Sequence, residues 1–100
     1  MQITKEQVFH ISDDLVVREI EGVTLVLPLS ADIGEIEDKM YSFNETGLAI
    51  WNLLDGVRTA ENVTKALCEA YEADYDEVFA DVSALISELL DRKILLPFAS

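Results

Sequence analysis

The hydrophobic period of this chain changes once, and abruptly. Before Asn44 apolar residues alternate, as in Val23, Leu25, Leu27 and Leu29, which share one face at period two. After Asn44 they recur at i, i+3, i+4 and i+7, the spacing of helices with one buried side. Strands that precede helices, rather than alternate with them, predict an α+β fold. The joint lies in Ser42 to Gly56, "SFNETGLAIWNLLDG". Asn44 is the expected N-cap, because its side-chain oxygen can accept an orphan backbone N–H. Phe43 at N′ and Leu48 at N4 have the spacing of a hydrophobic staple. Glu45 suits the positive end of the helix dipole. Ile50, Leu53 and Leu54, with Trp51 beside them, form the expected buried side. Gly56 fits the C′ position, where φ is usually positive.

Three strands are expected: "LVVREI" at 15–20, "VTLVLPL" at 23–29 and "KMYSF" at 39–43. Glu21-Gly22 is a two-residue turn between the first two. Pro28, out of phase with its strand's apolar face, points to an edge position or a strand end. Residues 1–14 read as a flexible arm or a short edge segment, and "SADIGEIED" at 30–38 as a polar loop. Thr59 is the expected cap of a second helix with a stripe of Val63, Ala66, Leu67, Ala70 and Tyr71. Asp74 is the expected cap of a third, with Glu77 completing a capping box. Val78, Val82, Leu85, Ile86, Leu89 and Leu90 give that helix a wide apolar face, which Phe79 widens further. "ILLPF" at 94–98 is a short apolar exit closed by Pro97. Two or three strands cannot stand alone in water, so they must pack on the helices. The expected fold is a winged helix-turn-helix, a three-stranded antiparallel sheet followed by three helices. It forms one domain over 1–100, with strands at about 15–43 and helices at about 45–92.

Composition narrows the function. Half of the chain is apolar, enough for a core. Its longest apolar runs are a few residues, far short of the ~20 that span a bilayer. The N-terminus has no apolar h-region, so no signal peptide is expected. One cysteine, Cys68, can make no internal disulfide, and a cytoplasmic location is the expectation. Twenty acidic residues against seven basic ones give a net charge of −13, which repels nucleic acid and anionic lipid. Neither nucleic acid nor membrane is an expected partner.

Nothing in the chain argues for catalysis, and no enzyme activity, cofactor or metal is expected. His10 is the only histidine and stands far from Cys68, so no zinc set exists. Cys68 reads as a small buried residue. The loop at 30–38 carries Asp32, Glu35, Glu37 and Asp38, but without EF-hand spacing it reads as a solvated connection. Asp76, Glu77 and Asp81 read as a solvated helix face, and Trp51 as core. A winged helix would read DNA with its third helix. Residues 74–91 carry Asp74, Asp76, Glu77, Asp81, Glu88 and Asp91, and no base before Arg92 and Lys93. That helix would set negative charge against phosphate. Binding to a polypeptide remains. A short third strand beside a helix leaves an open sheet edge next to an apolar groove, and an extended peptide can add to it. The opposing reading, in which Lys39 and its polar neighbours merely protect the edge, stands level on the residues alone. A proline at Tyr41 is expected to remove a ladder donor from that edge. The same edge can pair with a second copy, which leaves a homodimer open.

Residues 41–95 resemble the PqqD family, the pyrroloquinoline quinone (PQQ) biosynthesis protein D group. The features that carry the resemblance are Phe43, Asn44, Thr46 and Gly47, then Ile50-Trp51, Leu53-Leu54-Asp55-Gly56 and Thr59. Val63, Leu67 and Tyr71 fit the second helix. Asp81-Val82, Leu85 and Leu89 fit the third. The resemblance implies a recognition element for ribosomally made, post-translationally modified peptides (RiPPs). Such a domain is a non-enzymatic peptide chaperone. It takes a precursor leader peptide as an added strand beside the third helix and presents it to a modifying enzyme, often a radical S-adenosylmethionine protein. Carried over by position, the implied peptide-binding edge is Lys39, Met40, Tyr41, Ser42 and Phe43. The implied groove wall is Val78, Phe79, Val82, Ser83 and Ile86. The chief alternative is a winged-helix regulator acting through protein contacts or DNA binding.

Overall fold

The computed structural model describes residues 3–29 and 39–97. The acidic loop at 30–38 lies outside the described residues. Among the described residues the order is β1 (Phe9–Ile11), β2 (Leu15–Ile20), β3 (Val23–Pro28), β4 (Tyr41–Ser42), α1 (Glu45–Leu53), α2 (Ala60–Tyr71), α3 (Tyr75–Asp91) and β5 (Leu95–Pro97). Strands β2, β3 and β4 form an antiparallel sheet in that order, and the three helices follow it. This is the α+β, winged-helix architecture expected. The β2–β3 turn places Glu21 at φ 51° and Gly22 at φ 81°. Positive φ at both central residues makes it a type I′ turn, whose twist matches that of the strands it joins.

The third strand is shorter than the expected 39–43. Val26 pairs with Tyr41 and Leu25 with Ser42. Continuing that register sets Pro28 opposite Lys39. Proline has no N–H to donate, so the ladder stops before Lys39 and Met40, which are exposed. Pro28 thus ends the central strand, and through it limits β4.

Residues 3–11 are an ordered edge segment. β1 pairs antiparallel with β5, Phe9 opposite Pro97 and Ile11 opposite Leu95. The carbonyls of Gln7 and Lys5 accept from the N–H groups of Ala60 and Glu61, both at 3.0 Å. These are orphan donors in the first turn of α2, so the segment also caps that helix through its main chain. Ile3 and Phe9 enter the same core as Val26, Val63, Val82, Ile86, Leu89, Ile94 and Leu95.

The caps divide. Asn44 Oδ1 accepts from Gly47 N–H at 2.7 Å, and Thr59 Oγ1 from Asn62 N–H at 3.1 Å, as expected. Asp74 stands at the N-cap of α3 but makes no side-chain cap bond, so the expected capping box does not form. α1 ends at Leu53, and Gly56, at φ 82°, lies two residues beyond the cap Leu54 rather than at C′. A Cβ on Gly47 would stand 3.1 Å from Asn44 Oδ1 and 3.4 Å from the Phe43 ring, so glycine here lets the cap and ring close on the first turn. Asn44→Ala is expected to cost about 1 kcal/mol of stability and Asp74→Ala a few tenths, read by urea denaturation. Equal losses would contradict the difference between the two caps.

α3 closes on a Schellman motif. Ile94 N–H donates to Leu89 O at 2.9 Å and Lys93 N–H to Leu90 O at 3.1 Å, with Lys93 at φ 62°. Leu89 and Ile94 are both fully buried, which supplies the hydrophobic contact of the motif. Lys93→Gly relieves the left-handed side chain and is expected to stabilise by about 0.5–1 kcal/mol in the same assay.

Candidate functional site

Among the described residues, strand β4 is the edge of its sheet. Phe43 N–H donates to Thr24 O at 3.2 Å, so the backbone of Phe43 faces β3. Alternation then turns Tyr41 toward β3 and Ser42 away from it. The donor and acceptor presented by the open edge are therefore the N–H and C=O of Ser42. Tyr41, expected to supply an edge donor, instead joins the sheet internally.

Side chains alternate the other way. Tyr41 and Phe43 point to the core side, their rings edge-to-face at 5.1 Å, and Phe43 stacks on Trp51 at 5.0 Å. Trp51 is 8% exposed and is core, as expected. The aromatic stack ties β4 to α1 and fixes the joint read from the sequence. Arg92 lies over the Tyr41 ring at 4.9 Å, and its Nε bonds Glu88 Oε1 at 3.1 Å. Burial, helped by the Glu88 carboxylate and opposed by Arg92, raises the Tyr41 phenol above its ordinary pKa. Tyr41 is thus neutral at physiological pH and keeps its O–H as a donor.

Between β4 and α3 lies a cleft of about 670 Å³. One wall is Tyr41, Ser42 and Phe43, and the end is the first turn of α1 with Asn44, Thr46 and Gly47. The other wall is Asp81, Ala84, Leu85 and Glu88, which stand at i, i+3, i+4 and i+7 on α3. A second cleft of about 370 Å³ continues past Thr46, Ile50 and Asp81 toward Leu67, Tyr71 and Val78. Tyr71, expected in a buried stripe, is 61% exposed at this margin.

The residues named from sequence do not fall in one place. Tyr41, Ser42 and Phe43 line the main cleft, and Val78 lines the second. Lys39 lies beside Arg92 and Lys93 in a separate hollow below β4, and Met40 is exposed. Val82 and Ile86 are fully buried in the core, where no ligand reaches them without unpacking α3. Phe79 stacks on Tyr75, away from the cleft linings. The Ser83 hydroxyl is buried without a hydrogen-bond partner. The cleft wall of α3 is thus a row flanking the core stripe. Its signal in the sequence is the interval from Asp81 through Ala84-Leu85 to Glu88, a small and an apolar residue between two acids.

Asp76, Glu77, Asp81, Glu88 and Asp91 are all exposed on α3. That helix repels a phosphate backbone, which disfavours DNA reading. Among the described residues no group of His, Cys, Asp or Glu could hold a metal ion, and no helix is long and apolar enough to cross a membrane.

Fold and cleft together define a small winged-helix domain whose sheet ends in an open edge beside its last long helix. The chain belongs to the PqqD family: the family model described as coenzyme PQQ synthesis protein D matches residues 21–95. No curated protein sequence matches the chain significantly. Among solved structures it is similar in fold to TbiB1 in complex with the TbiA(beta) leader peptide. That chain is 24% identical, with a TM-score of 0.71, over 90% of this chain and 98% of that one. It is also similar in fold to a lasso peptide synthetase B1 complexed with its leader peptide. There the identity is 19% and the TM-score 0.73, over 89% of this chain and 98% of that one.

Proposed function

We propose that this domain binds the leader of a ribosomally made precursor peptide as a fourth strand against β4 and presents it to a modifying enzyme. The observation that carries the reading is the outward Ser42 backbone beside a cleft walled by α3. Backbone pairing supplies affinity there, and the side chains of α3 and of α1's first turn choose among peptides. The caps at Asn44 and Thr59 and the Tyr41–Phe43–Trp51 stack hold the edge in place beforehand, which lowers the entropic cost of binding. Membership of the PqqD family and the leader peptides held by the two structural neighbours support the same reading. The role is non-enzymatic and cytoplasmic, served by the chain as one recognition unit. The enzyme partner is of the kind that modifies precursor peptides, a radical S-adenosylmethionine protein among them.

The test is fluorescence anisotropy with the two halves of a precursor peptide encoded beside the chain's gene. The leader half is expected to bind with a micromolar or tighter Kd and the core half not to bind. Binding of the core half alone would overturn the reading. A moderate rise in salt is expected to weaken leader binding little, because strand pairing and apolar contact dominate.

A further inference from the structure

The two clefts share a charge pattern that strand pairing does not require. Their linings include Asp81, Glu88 and Glu45 and none of the seven Lys and Arg residues of the chain. The three carboxylates are not equivalent. Glu88 is held by Arg92, and Glu45 lies at the positive end of the α1 dipole. The Asp81 carboxylate has no hydrogen bond or ion pair among the described residues, is exposed, and lines both clefts at the point where they meet. Basic side chains gather elsewhere: Lys39, Arg92 and Lys93 line the hollow beyond the other end of β4, together with Asp14 and Asp91. The side chains lining the groove are therefore acidic at Asp81, and the basic ones lie in the separate hollow below β4.

We infer that Asp81 is a specificity-determining residue of this groove, selecting leader segments that carry a Lys or Arg where the strand crosses from β4 onto the first turn of α1. The inference rests on the leader-binding reading above and narrows it to one peptide chemistry. A peptide strand in the main cleft passes Ala84 and Leu85, which offer a small and an apolar contact, and then meets Asp81. An approaching acidic side chain would find Asp81 unscreened by any neighbouring base and would be rejected. A basic one would gain an ion pair that the free domain leaves unmade. The overall charge of −13 speeds encounter with the same class of peptide.

A displayed library of random extended peptides, selected against the intact chain and against Asp81→Asn, tests this. Asp81 is exposed, so the variant is expected to fold, and circular dichroism checks it. The expected result is enrichment of Lys or Arg at one position of the bound peptides, lost in Asp81→Asn. For one selected basic peptide, Asp81→Asn is expected to weaken binding roughly three- to fivefold, with Asp81→Glu restoring most of it. Peptides enriched without a basic position, or with one that persists in Asp81→Asn, would overturn the inference and leave strand addition standing. A library from which nothing is enriched by either protein would overturn both.

Discussion

Ser42→Pro is expected to weaken leader binding by about tenfold to a hundredfold while leaving the domain folded. Proline removes the outward N–H of β4, and its ring occupies the space that an added strand must enter. The first effect forfeits a backbone hydrogen bond and leaves a peptide carbonyl without a partner, about 1–3 kcal/mol. The domain tolerates the change because proline is accepted on an edge strand where the N–H faces solvent. Tyr41, the residue before it, already has the extended backbone that a following proline demands. Tyr41→Pro makes the contrast. Its N–H faces β3, so that substitution breaks the sheet and is expected to lower stability along with binding. Calorimetric titration of both variants, with thermal melts alongside, separates the cases. An unchanged leader affinity in folded Ser42→Pro would refute strand addition at this edge.

Ile86→Ala is expected to cost about 2–5 kcal/mol, lowering the melting midpoint on the order of 10–30 °C. Ile86 is fully buried among Phe9, Val63, Val82 and Leu95 in the one core cluster, and the cavity left by truncation cannot close without moving α3. Leu85, its neighbour in sequence, is half-buried and lines the cleft. Leu85→Ala is expected to cost less than half as much stability and to weaken leader binding more, measured by the same melts and titration. The pair thereby tests whether α3 divides into a core row and a cleft row. Equal stability losses, with equal effects on the leader, would contradict that division.

Local signals were legible in the chain where local chemistry decides. Asn44 and Thr59 cap their helices because an N-cap needs one side-chain oxygen and a donor three residues on. Asp74 has the same credentials and its backbone takes the extended cap conformation, yet its side chain makes no such bond. Features set by pairing between distant segments were not legible. β1 and β5 are three residues each and meet from opposite ends of the chain, too short for any period to register. The length of β4 depends on Pro28, and so on a register that only the folded sheet defines. The cleft wall on α3 was missed for a related reason. Seven large apolar residues from Val78 to Leu90 make a face so wide that periodicity tells which side is buried but not which flank β4 lies along. Val82 and Ile86 fall at its centre, Asp81 and Leu85 at the margin that the strand leaves open.

The central claim is that a leader peptide pairs with the backbone of Ser42. Residue-resolved amide hydrogen exchange by NMR tests it most directly, on the free domain and on the domain saturated with leader. The account predicts that the Ser42 amide exchanges freely without peptide and becomes protected with it, while the Phe43 amide, already bonded to Thr24, changes little. Protection of residues along α3 without any change at Ser42 would mean that the peptide occupies the cleft without joining the sheet.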